Sequence, residues 1–126
     1  MKPVLVDTSV WRRFFAGTAA FRGLGDLLDE DEAVLVHPFV VGELVMGGLS
    51  SKHEAHLQRL PRAPVLAHEE VLGLVRRQHL VRRDLGWVDA HLLASALVSS
   101  ALLWSADKDL AAAAVALTAA FRPPAS

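Results

Sequence analysis

The sequence predicts an α/β fold, with a parallel sheet covered by helices on both faces. Three observations predict it. Short apolar runs recur at residues 3–6, 33–36 and 101–104. None alternates apolar with polar, as strands buried on both faces do not. Longer segments with helical spacing separate them, the order expected of α/β units.

Residues 3–6 form a strand that runs into Asp7-Thr8-Ser9, a helix-start signature. The helix that follows carries Trp11, Phe14 and Phe15, with Arg12 and Arg13 between them, and Gly17 ends it. A second helix is expected over 19–28, before the acidic run Asp29-Glu30-Asp31-Glu32. Residues 33–36 are the second strand. Pro38 suits the first turn of the next helix, which reaches about Met46 and stops at Gly47-Gly48. Residues 52–60 read as a polar helix closed by Pro61 and Pro64, and Val65-Leu66 as a short strand. A longer helix over 69–84 sets Val71, Leu74, Val75, Gln78, Val81 and Leu85 on one face, and Gly86 breaks it. Then come a nearly all-apolar helix over 88–99, the strand 101–104, a helix over 107–114 and a last short strand over 115–118. The tail 121–126 reads as frayed, and 1–126 as one domain.

The 126 residues are 52% hydrophobic, which excludes a disordered chain. With no cysteine there is no disulfide scaffold, Cys nucleophile or thiolate zinc site, and a reducing cytoplasm fits. The longest apolar stretch, 92–104, is short of the roughly 20 residues of a membrane span and is broken by Ser95, Ser99 and Ser100. Asp7 interrupts the N-terminal apolar run too early for a signal peptide. Thirteen basic residues against 14 acidic ones give a net charge of −1, which on its face disfavours a nucleic-acid partner.

Most of the acids keep polar company and read as solvated surface. Four do not. Asp7 directly follows the first strand. Glu43 is the only ionisable residue between Pro38 and Ser51. Asp89 is the only acid between Leu85 and Trp104, and Asp107 follows the strand that ends at Trp104. Each alone has a plain alternative: a cap for Asp7 or Asp107, an arginine partner for Glu43, the helix dipole for Asp89. Together, at or near strand exits and without matching basic residues, they point to a shared cation. Ligands beyond the carboxyl ends of the strands are the rule in such sheets. Oxygen-only donors suit a hard ion such as Mg²⁺ or Mn²⁺.

In order along the chain stand Asp7-Thr8-Ser9-Val10-Trp11, Pro38-x4-Glu43-Leu44-x2-Gly47, Gly86-Trp87-Val88-Asp89-Ala90-His91 and Leu103-Trp104-Ser105-Ala106-Asp107-Lys108-Asp109-Leu110. This ordered set resembles the motifs of PIN domains, and the length is that of VapC-type toxins of bacterial toxin–antitoxin pairs. The resemblance implies a three-layer α/β/α sandwich with a short, mainly parallel, Rossmann-like sheet. It implies an endoribonuclease dependent on one or two Mg²⁺ or Mn²⁺ ions, leaving a 5′-phosphate and a 3′-hydroxyl. Asp7, Glu43, Asp89 and Asp107 would be the catalytic, metal-binding acids, with Asp7 and Asp89 as direct ligands. Thr8, Ser9 and Ser105 would supply supporting hydroxyls. Asp109 departs from the usual residue there and is either an outer acid or a helix-start residue. A cognate antitoxin and a homodimer are implied as partners, with no membrane. A PIN nuclease of RNA maturation or decay is the alternative. A dehalogenase-like phosphotransferase needs an acid where Ser9 stands, and a receiver domain needs a paired-acid start that is missing.

Clustered without metal, the four carboxylates should repel, raising the pKa of at least one. Arg76 and Arg83, placed two turns apart on one helix, and Arg12 and Arg13 near Asp7 are candidates for RNA phosphates. Trp11, Phe14 and Phe15 are candidates for a groove that takes the antitoxin. The six histidines form no HExxH pattern, and His91 reads as a packed or supporting group. With the four acids and the Asp26–Glu32 patch set aside, the remaining chain is strongly basic, so the balance of −1 does not count against RNA.

Overall fold

The computed structural model describes residues 1–123. Three parallel strands, β1 (Val4–Val6), β2 (Val34–Leu35) and β3 (Leu102–Trp104), lie in the order β2-β1-β3. The register sets Val4 beside Val34 and Leu102, and Val6 beside Trp104. All three residues of β1 are fully buried, although successive side chains point to opposite faces. Both faces of the sheet are therefore covered, as the absence of alternation predicts. Each such Val or Leu contributes roughly 1.5–3 kcal/mol by leaving water.

The helices are α1 (Thr8–Phe15), α2 (Gly23–Leu28), α3 (Pro38–Met46), α4 (Ser51–Gln58), α5 (His68–Arg77), α6 (Trp87–Val98) and α7 (Lys108–Ala116). Helix α6 is the most deeply set, with Ala90 to Ala96 buried without a break. This explains why its sequence is apolar all round.

Five helices end in the same way, with a left-handed residue just past the last turn. These are Gly17, Gly48, His79, Ser100 and Thr118, with φ between 53° and 98°. In each case the next amide reaches back to a carbonyl five residues earlier, as in Leu80 N–H to Val75 O and Ala119 N–H to Ala114 O. This Schellman closure satisfies carbonyls that the helix leaves open. Gly adopts the conformation freely, whereas His79, Ser100 and Thr118 do so at a steric cost.

Several expected boundaries are corrected. The helix expected over 69–84 ends at Arg77, because His79 turns left-handed. The helix over 19–28 is a 3₁₀ turn, Ala19–Phe21, followed by α2. Val65-Leu66 is no strand; the chain meets the sheet edge earlier, where Arg62 bridges Val36. Residues 115–118 finish α7 and its turn, and Ala120 makes the bridge to Leu103. Of the tail expected to fray, Phe121 is tied down: its N–H donates to Leu103 O at 2.9 Å, and its ring packs 5.0 Å from Trp104. Residues 124–126 lie outside the described residues.

Strand β1 is the centre of the sheet, and the chain leaves it to one side for β2 and comes back to the other side for β3. The crevice beyond the carboxyl ends of β1 and β3 is thus a topological switch point. Asp7 N–H donates to Trp104 O at 2.9 Å across it.

Candidate active site

Asp7 occupies the helix-start position of α1, yet its side chain makes no cap hydrogen bond. It is 6% exposed. Its Oδ2 accepts from Ser9 Oγ at 2.6 Å and from Ser105 Oγ at 2.9 Å. Each serine also accepts a backbone bond. Ser9 Oγ accepts from the Ala106 amide at 2.9 Å, and Ser105 Oγ from the Asp107 amide at 3.0 Å. Two hydroxyls thus clamp one carboxylate oxygen and lock the segment after β3 against the start of α1.

Glu43 lies on α3 and is exposed. Its Oε1 accepts from the buried Thr8 hydroxyl at 2.7 Å, not from an arginine. Asp89 sits in the first turn of α6, half-buried, and its Oδ2 accepts from Gly86 N–H at 2.9 Å. Asp107 is exposed and caps α7, its Oδ1 accepting from the amides of Asp109 and Leu110. Only Asp7 of the four is deeply buried, so the sequence placed Glu43 in drier surroundings than it has. Asp109 is an exposed first-turn residue of α7.

One pattern unites the four acids. Each has one oxygen held by a neutral N–H or O–H donor. Among the described residues, the other oxygen of each accepts no hydrogen bond. The Asp89 pKa is raised, first by burial, with Asp7, Asp107 and Glu43 adding repulsion against the lowering pull of the Gly86 amide. The acids are therefore close enough to feel one another. They are not preassembled: among the described residues, no three His, Asp or Glu side chains stand close enough to hold one ion.

Around the acids, Arg12 lines grooves on both sides of α3 and lies 3.5 Å from where a Cβ on Gly47 would stand. Arg13 donates to Ser9 O at 2.9 Å and covers the Phe21 ring. Arg76 is exposed in the last turn of α5, but Arg83 lies beyond that helix, so the two do not share a helical face. Trp11 is 1% exposed and belongs to the core, not to a groove. Phe14 is half-buried beside it, and Phe15 stacks on His53 at 4.5 Å and lines a groove with Arg12 and Leu44.

A second cluster was legible only in part: His91 is packed, as expected, but its neighbour His37 was missed. His37 is fully buried at the start of α3, its Nδ1 accepting from Phe39 N–H at 3.0 Å. Burial, with His91 nearby, lowers its pKa to about 4. His91 packs at 4.8 Å from Phe39 and 5.0 Å from Trp87, its own pKa lowered by burial and by His68. Both imidazoles are held neutral at pH 7, which suits packing and not anion binding. The signal available was His37 directly after the second strand, the same kind of position as Asp7.

The PIN domain family matches residues 4–116. The chain belongs to the PIN-domain family. Two curated relatives of this PIN domain, both named Ribonuclease VapC32, come from Mycobacterium tuberculosis strains CDC 1551 / Oshkosh and ATCC 25618 / H37Rv. Each is 47% identical over 113 residues, which is 87% of this chain and 89% of the relative. The relatives make this a VapC-type PIN domain. Among solved structures, PAE2754 from Pyrobaculum aerophilum has a TM-score of 0.62 over 89% of this chain and 84% of that one. At 17% identity that likeness shows the fold alone. No helix among the described residues is long and apolar enough to cross a membrane.

Proposed function

We propose that this PIN domain is a Mg²⁺- or Mn²⁺-dependent endoribonuclease, the toxin of a toxin–antitoxin pair that acts on RNA in the cytoplasm, inhibits translation and is neutralised by a cognate antitoxin. The observation that carries the reading is the half-committed carboxylate set. Four acids at a switch point each keep one oxygen for the protein and one for a guest, and among the described residues no lysine or arginine donates to them. Such a donor set fits a hard divalent ion that keeps several of its waters, and that needs fewer direct protein ligands than a closed cage. Asp7 and Asp89 are the direct ligands in this reading, with Glu43 and Asp107 acting partly through water.

A bound ion there would offset the phosphate charge and acidify a water at neutral pH. The chain's own residues do the positioning. Ser9 and Ser105 fix the Asp7 carboxylate, and Thr8 fixes Glu43. The Asp107 cap holds the start of α7 beside them. Water adds to phosphorus, the P–O3′ bond breaks, and the products carry a 5′-phosphate and a 3′-hydroxyl. Neither His37 nor His91 serves as base, since both are buried in packing. Arg12 lines a groove with Glu43 and is a candidate for the RNA backbone. One domain of this kind per chain, paired as a homodimer, completes the proposal.

The test is Asp7→Asn. It removes a ligand charge and leaves acceptors for both serines. Cleavage should fall by orders of magnitude while the protein stays folded. A folded Asp7→Asn protein with unimpaired cleavage would overturn the site.

A further inference from the structure

The chain neighbours of Asp89 line two different grooves. Val88 lines a shallow groove with Arg12 and Glu43, which belongs to the acid site. Gly86, Trp87 and Ala90 help to line a separate groove of about 460 Å³, with Val75 and Leu85 among its apolar walls. Nothing in the four-acid chemistry uses this second groove. The two are joined through Gly86, which lines the groove and donates its N–H to Asp89.

Three features set the groove apart from a packing fault. Trp87 is 40% exposed, whereas Trp11 and Trp104 are 1% and 3% exposed. Its indole is braced at 5.0 Å from His68 and, edge to face, at 5.0 Å from the buried His91. Arg82 and Asp84, which also line the groove, have φ of 65° and 57°. Unlike His79, neither closes a helix, so the strain belongs to the loop itself. Strained non-glycine backbone of this kind persists where the surroundings hold it, commonly at binding sites. Arg82 lines the groove, and Arg76, Arg77 and Arg83 are exposed in the same short stretch of chain, a charge that suits a polyanion.

We infer that this groove is a nucleobase subsite, in which a base next to the scissile phosphate lies against Trp87 while Arg82 and Asp84 meet its polar edge. The inference rests on the endoribonuclease reading above. An unstacked RNA base has flat apolar faces and a hydrogen-bonding edge, and aromatic side chains take such bases in single-stranded recognition. A base seated here sets its own phosphate beside Asp89. Guanine is the preferred occupant. Its edge offers two adjacent N–H donors to the Asp84 carboxylate and an acceptor to the Arg82 guanidinium.

Intrinsic fluorescence tests this separately from cleavage. The probe is a single-stranded RNA hexamer of uridines with one guanosine, added to the Asp7→Asn protein. With Trp11 and Trp104 buried, a saturable quench reports Trp87. It should vanish in Asp7→Asn/Trp87→Phe, and weaken several-fold when adenosine replaces guanosine or when Asp84 is changed to Asn. In the otherwise wild-type chain, Trp87→Ala should raise KM for RNA cleavage roughly tenfold, and Trp87→Phe should restore most of it. An unquenched Trp87, or Trp87→Ala cleaving with an unchanged KM, overturns the subsite. If the wild-type chain quenches with the hexamer but cleaves no RNA, the groove stands as an RNA site and the endoribonuclease reading falls.

Discussion

Replacing Ser9 by alanine removes two hydrogen bonds at once. One is the 2.6 Å donation to Asp7 Oδ2, a bond to a carboxylate that is 6% exposed. Bonds to charged groups contribute about 1.5–3 kcal/mol. The other is the acceptance from Ala106 N–H at 2.9 Å, a neutral bond worth about 0.5–1.5 kcal/mol. Ser105 still donates to the same oxygen at 2.9 Å and softens the first loss. The expected cost of Ser9→Ala is therefore about 2–3 kcal/mol in urea unfolding of the metal-free protein. Ser105→Ala should cost somewhat less, because the Asp107 amide it frees is exposed and finds water. The two serines share Oδ2, so each covers partly for the other. The double variant should then cost more than the sum of the singles, by about 0.5–1 kcal/mol or more. Urea titrations of the four proteins of the cycle measure this directly. A Ser9→Ala protein within about 0.5 kcal/mol of wild type, the range of ordinary surface changes, would refute the clamp. Strict additivity would refute the shared oxygen.

Further outcomes follow from the same geometry. Thr8→Val keeps shape and burial but frees Glu43, so cleavage or metal affinity should fall about 10–100-fold, with only a modest change in melting temperature. The folded pKa of Asp89 lies above its unfolded value of 3.8, so metal-free stability is lost as pH rises between the two and the loss is complete above the folded value. Asp89→Asn should therefore be more stable than wild type at neutral pH in EDTA, with the gap closing below the ordinary carboxylate pKa and reversing with saturating Mg²⁺; thermal melts across pH read all three. Thr118→Gly relieves a β-branched residue at φ 58° and should raise stability by about 1 kcal/mol in chemical unfolding.

The strands and the acids were legible because each is a local signal. An apolar run without alternation marks a doubly buried strand, and a lone acid in an apolar stretch marks a group that needs a partner. Pairing partners are not local. Nothing near Val36 shows that Arg62 will bridge it, and Val65-Leu66, more strand-like in composition, stands 49% exposed at Val65. The end of α5 was hidden for a different reason: a histidine closes it in a conformation that sequence reading reserves for glycine or asparagine. In the site, Thr8, Ser9 and Ser105 entered through the family resemblance, as supporting hydroxyls. That Ser105 would reach Asp7 across 98 residues while Thr8 reached Glu43 was settled by the parallel register of β1 and β3 and by the docking of α1 on α3. Trp11 was misread because an aromatic pair at helical spacing serves a groove or a core equally well, and here the core took it.

The central claim is that four carboxylates and a divalent ion, not a histidine base, cut RNA. Incubating the purified protein with total RNA in Mg²⁺ or Mn²⁺, and in parallel with EDTA, and mapping the ends tests it most directly. The account predicts discrete cuts with 5′-phosphate and 3′-hydroxyl ends when metal is present, and intact RNA with EDTA. Cuts that persist in EDTA, or that leave cyclic phosphates, would contradict it.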